Sequence, residues 1–208
     1  MNYKYVLWDF DGTLADSLNM MLTIFNDAAH RHGFATIEDP EKFRDKTIHQ
    51  FIKACGIPLW KVPKLLSESI ASAKDLMPDV NMFPGIPETL SALRLAGRSM
   101  GIVTTNAEAN VRICLRAHDV ESHFDRVIDR TGLLGKPRAL KRALKTLGAR
   151  PAESVYIGDE VRDIEAGRKV GIHVAAVTWG LNSADALRSR APDHLLEHPE
   201  EMLGWLNA

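Results

Sequence analysis

The chain has 208 residues, 45% hydrophobic and 25% charged, with a formal net charge of -1. That balance suits a globular protein able to bury a real core, and it offers no acidic or basic tail for nucleic acid or an anionic membrane. No stretch approaches the ~18 apolar residues of a membrane helix, and the apolar start is cut by Asp9 and Asp11, so no signal peptide is expected. Cys55 and Cys114 lie in apolar-periodic segments outside any C-x-x-C pair, which predicts buried free thiols and a reducing, cytoplasmic setting.

Tyr3 to Phe10 is a short aromatic and β-branched run ending at Asp11-Gly12, the pattern of a buried strand meeting a turn. From Ser17 the period changes. Leu18, Met21, Leu22, Phe25, Ala28 and Ala29 follow helical spacing up to Gly33. Phe43, Ile48, Phe51, Ile52 and Cys55 predict a second helical stretch, and Leu65, Leu66, Ile70, Ala73 and Met77 a third. After Phe83-Pro84-Gly85 the texture alternates. Helices are expected over 87–96, 107–118, 137–147, 161–170 and 199–206. Strands are expected over 99–104, 124–128, 154–157 and 172–177, with an edge strand over 193–196.

Alternating strands and helices imply parallel strands joined by right-handed crossovers. The expected fold is therefore α/β: a Rossmann-like, three-layer core with a parallel sheet and a small all-helical cap. Residues 1–14 and 82–208 form the core, and 15–81 the inserted cap. Ligands of such sheets bind beyond the carboxyl ends of the strands. Asp9 and Asp11 stand there after the first strand, Thr104 and Thr105 after the second, and Asp159 and Asp163 after the fourth. Lys136 is expected in a loop before a helix.

Asp9 and Asp11, two positions apart, lie close together, and like charges so near need a counter-ion or a proton. Asp159 and Asp163 add negative charge. Hard oxygen ligands in such a cluster suit Mg²⁺. Asp159 is also placed to cap the following helix. The N–H groups around Gly12-Thr13 and Thr105-Asn106, with the Thr104 hydroxyl and Lys136, are candidates for binding phosphate. Eight histidines fall into no ligand pattern. Trp8 and Trp179 are expected in the core or the cleft wall. In the insertion, Arg44, Lys46, Thr47 and His49 are candidates for contact with the substrate.

Four segments carry a resemblance. Asp9-Phe10-Asp11-Gly12-Thr13, Gly101-Ile102-Val103-Thr104, Gly135-Lys136-Pro137 and Gly158-Asp159-Glu160-Val161-Arg162-Asp163 resemble, in order, the four motifs of the haloacid dehalogenase superfamily. Residues 176–206 look like the tail of its phosphoglycolate-phosphatase-like branch. The resemblance implies a Mg²⁺-dependent phosphatase acting on a small phosphorylated metabolite, such as phosphoglycolate or a sugar phosphate. It implies Asp9 as nucleophile and Asp11 as general acid and base. It implies Mg²⁺ on the carboxylates of Asp9 and Asp159 and the backbone carbonyl of Asp11, supported by Asp163, with Thr104 and Lys136 on phosphate. Asp11 argues for phosphoryl chemistry, because halide release needs no proton. A phosphosugar mutase is the alternative within the superfamily, and a non-catalytic binding protein the alternative outside it. Arg44-Asp45-Lys46-Thr47 departs from the branch's usual apolar-Gly opening of the cap helix, which leaves the substrate open.

Overall fold

The computed structural model describes residues 3–129, 132 and 135–206. In chain order the regular elements are β1 (Tyr5–Trp8), α1 (Leu18–His32), α2 (Ile48–Ala54), α3 (Val62–Ala73), α4 (Ile86–Leu95), β2 (Ser99–Val103), α5 (Glu108–Ala117) and β3 (Arg126–Ile128). There follow α6 (Lys136–Leu147), β4 (Ser154–Gly158), α7 (Val161–Val170), β5 (His173–Val177), α8 (Ala184–Arg188), β6 (His194–Leu196) and α9 (Glu201–Leu206). All strand pairs are parallel, in the order β3-β2-β1-β4-β5-β6. This is the expected Rossmann-like sheet.

A parallel sheet is covered on both faces, which is why its strands read as continuous apolar runs. Alternate residues of β1 enter opposite layers. Val6 and Trp8 pack with Leu90, Leu93, Val111, Leu115, Met202 and Leu206, from α4, α5 and α9. Leu7 faces Leu140, Ala143, Leu144 and Ala166, from α6 and α7. Ile164 and Leu187 bring α7 and α8 over β5. Three layers result, with β1 near the centre. The chain leaves β3 at one edge and returns beside β1 as β4, so the strand order reverses there. Asp9 and Asp159 follow the two strands flanking that reversal, where open sheets bind ligands.

Of helices α1, α2 and α3, Met20 and Ile24 of α1 and Ala73 of α3 pack into the larger cluster, the one that holds Val6 and Trp8. The three helices' own small cluster is Ile52, Cys55 and Ile57, with Phe25, Phe34, Phe43 and Phe51 against it. The segments entering and leaving this block run side by side. Asp16 N–H donates to Asn81 O at 2.8 Å, and Phe83 N–H to Leu14 O at 3.1 Å.

Local chemistry corrects several expectations. Phe43 ends a 3₁₀ turn, Pro40–Phe43, and α2 begins only at Ile48. Thr47 sets that start: its side chain accepts from Gln50 N–H, and Gln50 reciprocates on Thr47 N–H, a capping box. The third stretch likewise divides into α3 and a 3₁₀ turn at Met77–Asp79. Lys136 is not in a loop but opens α6, with Pro137 behind it where a missing N–H costs nothing. Helix α8 was not anticipated; the Ser183 hydroxyl caps it by accepting from Ala186 N–H at 3.2 Å. Both cysteines are buried and free, and no described helix is long and apolar enough to cross a membrane.

Candidate active site

Asp9 leaves β1 with its N–H still paired to Ile157 O of β4, at 2.8 Å. The chain then turns tightly. Phe10 N–H bonds the Asp9 carboxylate at 2.8 Å, and the Gly12 and Thr13 N–H groups donate to Ala15 O and Phe10 O. These two donors, expected to face phosphate, close the turn instead. Gly12 has φ of +75°, and a Cβ there would collide with the Asp159 carboxylate. Gly180, from the loop after β5, is as tightly placed, since its Cβ would overlap Asp159 and Gly12 O. Two glycines thus let three backbone segments converge on one carboxylate.

Asp9, Asp159 and Asp163 are buried and offer oxygens all within 4.8 Å of one another. Lys136, 2% exposed, hydrogen-bonds both Asp9 and Asp163. Asp159 accepts the Thr13 hydroxyl at 2.6 Å and Leu181 N–H at 2.8 Å. Asp163 accepts Glu160 N–H at 3.0 Å, and Glu160, not Asp159, is the residue that caps α7. Among these buried groups, three carboxylates face one ammonium, so negative charge is in excess.

The titration shifts report that excess. Burial raises Asp9, and the nearby Lys136 offsets only part of it. Burial, then Glu160, Asp9 and Asp163, push Asp159 well above the carboxylate range. Asp163 rises to about 6, mainly by burial, with Lys136 opposing. For Lys136, burial works against the ammonium, but Asp163 and Asp9 outweigh it and hold the residue above the usual lysine range. A hard divalent cation answers this donor set: buried carboxylate oxygens, close together and under-compensated.

Asp11 lies on the other side of the turn, facing a cavity. Its carboxylate accepts the Ser17 hydroxyl at 2.8 Å and the Asn106 amide at 3.1 Å. Burial raises its pKa, and these two bonds oppose the rise. Asn106, expected on phosphate, therefore holds Asp11. The Thr104 hydroxyl accepts Asn106 N–H at 3.0 Å and keeps its own proton to donate. Thr105 and Asn106 also line the cavity.

The structure brings Asp9, Lys136, Asp159 and Asp163 into one cluster, with Thr13 bonded to it and Asp11, Thr105 and Asn106 alongside. The insertion's candidates separate. Arg44 and Lys46 line the cavity, whereas Thr47 is spent on its cap and His49 is exposed outside the lining. Arg44 donates to Gly180 O at 3.0 Å and Leu181 O at 3.1 Å, while Asn182 donates to Arg44 O at 2.5 Å. It fastens the helical block to the loop beside Asp159. Two residues were overlooked in the sequence. Glu160 and Arg162 line the cavity and pair at 2.5 Å, yet Arg162 Nε and Nη1 are buried without a hydrogen-bond partner among the described residues. Their only signal was position, as unassigned members of the Gly158–Asp163 motif. Trp8 is fully buried, and Trp179 forms part of the cavity wall, donating to Thr13 O at 3.1 Å.

Comparison with known proteins gives the chain a family. Residues 6–177 match the family model of haloacid dehalogenase-like hydrolases. A phosphoglycolate phosphatase from Synechococcus elongatus is 34% identical over 200 residues, covering 95% of this chain and 94% of that one. A pyrophosphatase PpaX from Bacillus cereus is 29% identical, covering 100% and 98%. The crystal structure of a predicted phosphatase from Clostridium acetobutylicum superposes with a TM-score of 0.85 at 20% identity, covering 100% and 99%, a likeness of fold.

Proposed function

The chain belongs to the haloacid dehalogenase-like hydrolases, and from that premise we propose that it is a Mg²⁺-dependent phosphomonoesterase with Asp9 as its nucleophile. The observation that carries this assignment is the position of Asp9, buried at the β1–β4 edge and hydrogen-bonded to Lys136 beside two further carboxylates. The substrate is an organic phosphate ester, a small phosphorylated metabolite. Its names among the relatives, phosphoglycolate and pyrophosphate, set the first panel to try.

An Asp9 oxygen bonds to phosphorus as the ester P–O bond breaks, giving an aspartyl-phosphate. Asp11 protonates the departing alkoxide. The raised pKa of Asp11 lets it hold that proton, and Ser17 and Asn106 fix its direction. Asp11 then takes a proton from water as the water oxygen attacks phosphorus. Asp9 is restored and phosphate leaves. Lys136 offsets the charge on Asp9 and, with the Thr104 hydroxyl, holds phosphate oxygens. The N–H groups of Arg162 that have no partner among the described residues make it a further donor to the phosphoryl group.

The carboxylates of Asp9 and Asp159 and the backbone carbonyl of Asp11 would hold Mg²⁺, with Asp163 in support. That ion supplies positive charge against the repulsion between carboxylate and phosphate, which is ~1 kcal/mol at 4 Å in water and several times larger in a drier site. The core, 1–14 and 82–208, carries the chemistry, and the cap, 15–81, covers it. The paired segments at Leu14–Asp16 and Asn81–Phe83 serve as the hinge. Buried free thiols suit a cytoplasmic setting.

The test is reductive trapping. Borohydride added during turnover of p-nitrophenyl phosphate with Mg²⁺ should convert residue 9 to homoserine, located by peptide mass. Turnover with residue 9 unmodified would reject the nucleophile.

A further inference from the structure

Helices α1, α2 and α3 do not close on one another. A cavity of about 540 Å³ runs between them to the sheet edge. Asp11, Thr105 and Asn106 stand at its core end, and Phe25, Phe34 and Phe51 line the part inside the helical block. These phenylalanines are half-buried. They meet the small Ile52–Cys55–Ile57 cluster on one side and open space on the other. Rings Phe25 and Phe51 lie 5.1 Å apart, edge to face.

The cavity falls within the ~300–1,000 Å³ of pockets that enclose whole organic ligands. A two-carbon carboxylate as leaving group would fill a small part of it. It would also set a charge among phenyl and aliphatic side chains, where lost hydration is not returned. Of the cations at the core end, Arg44 is bound to the Gly180 and Leu181 carbonyls, and Arg162, paired with Glu160 through one nitrogen, stands near the aspartates, where its remaining N–H groups are assigned to the phosphoryl group. Lys46 sits over the Phe43 ring at 5.9 Å. An apolar body would cover the exposed rings while the phosphate stays at the sheet edge.

Building on the phosphomonoesterase assignment, we propose that this cavity binds the substrate's leaving group and that this group is predominantly apolar, an alkyl or aryl moiety larger than glycolate. The cap then selects by buried apolar surface rather than by charge. Each methylene moved from water into such a site is expected to raise kcat/KM about three- to fourfold until the cavity fills.

The experiment uses the full chain with Mg²⁺ and a series of n-alkyl phosphates from ethyl to octyl, beside phosphoglycolate and p-nitrophenyl phosphate. Rising kcat/KM along the series, with octyl phosphate above phosphoglycolate, is the expected result. Binding of n-alkylphosphonic acids, measured by calorimetry, should tighten along the same series without any turnover. Ser69 lines the cavity from a partly exposed position. Ser69→Phe should lower the octyl-to-ethyl ratio of kcat/KM at least tenfold, a ratio insensitive to how much of the variant folds. Turnover that is flat or falling with chain length, or a tenfold preference for phosphoglycolate, overturns this proposal alone. No turnover with any ester, p-nitrophenyl phosphate included, overturns the phosphomonoesterase assignment and this proposal with it.

Discussion

Leu90 in α4 and Phe25 in α1 are both large apolar residues at helical spacing. Leu90 is sealed against the sheet, whereas Phe25 stands half-buried beside a cavity. The contrast extends to their surroundings. Around β1, residues of both faces are fully covered by helices. Between α1, α2 and α3, the buried cluster is three residues, and aromatic rings line a hollow. Asp9 and Asp159 must be held to a fraction of an ångström, and close packing around β1 and β4 provides that. The helical block has no such carboxylates to position. Its apolar residues are left with surface to offer a ligand.

The sharpest way to break this comparison is to remove the chemistry without disturbing the packing. Asp9→Asn should lower turnover by several orders of magnitude while circular dichroism and thermal melting show a folded chain. Retained activity would rule out Asp9 as the nucleophile.

Next in size is packing itself. Leu90→Ala should cost about 2–5 kcal/mol in urea unfolding, because a cavity opens in a sealed layer. Phe25→Ala should cost less than about 2 kcal/mol, because one side of the ring already faces space. Equal losses would mean that the helical block is packed like the core.

A third effect depends on pH. The folded-state pKa of Asp163 is raised to about 6 from an ordinary 3.8. Between those values the metal-free folded chain binds more protons than the unfolded chain. Its stability should therefore fall as pH rises from about 4 to about 6. Asp163→Asn should flatten that fall, and Mg²⁺ should restore stability at neutral pH in proportion to the logarithm of its concentration. A stability that climbs over this range in the metal-free protein, with no difference in the variant, would contradict the charge excess.

The smallest effect concerns the fastening between the two regions. Arg44→Ala removes two bonds to Gly180 and Leu181 carbonyls. A loss of about 1 kcal/mol, or roughly fivefold in the closed population, is expected. Limited proteolysis should then cut faster near residues 14–16 and 81–83. An unchanged cleavage rate would mean that Arg44 does not fasten the block.

Much of this was legible in the sequence. Strand and helix periods gave the sheet, and Asp9, Asp159 and Asp163 stand at strand ends because apolar runs stop there. Periodicity shows which face of a helix is apolar. It does not show whether two apolar faces meet, so the hollow beside Phe25 and Phe51 was hidden. Thr47 was legible as polar and near a helix start, yet only geometry showed that Gln50 takes up its hydroxyl. Arg44 and Gly180 lie 136 residues apart, a contact no local pattern encodes. Asn106 stands at the expected edge, but its amide donates to Asp11 at 3.1 Å, a partner 95 residues away that no local pattern encodes.

The convergence of Gly12, Gly180 and Asp159 has a kinetic consequence. Thr13 and Asp159 are bonded although 146 residues separate them. Nothing near either residue in the chain can hold that contact until β4 docks beside β1. Such long-range parallel pairing carries a large loop-closure cost and forms slowly. The repulsion of Asp9 by Asp159 and Asp163 arises only at that docking step. A divalent cation would thus act on the folding barrier as well as on the finished enzyme, making refolding faster in its presence.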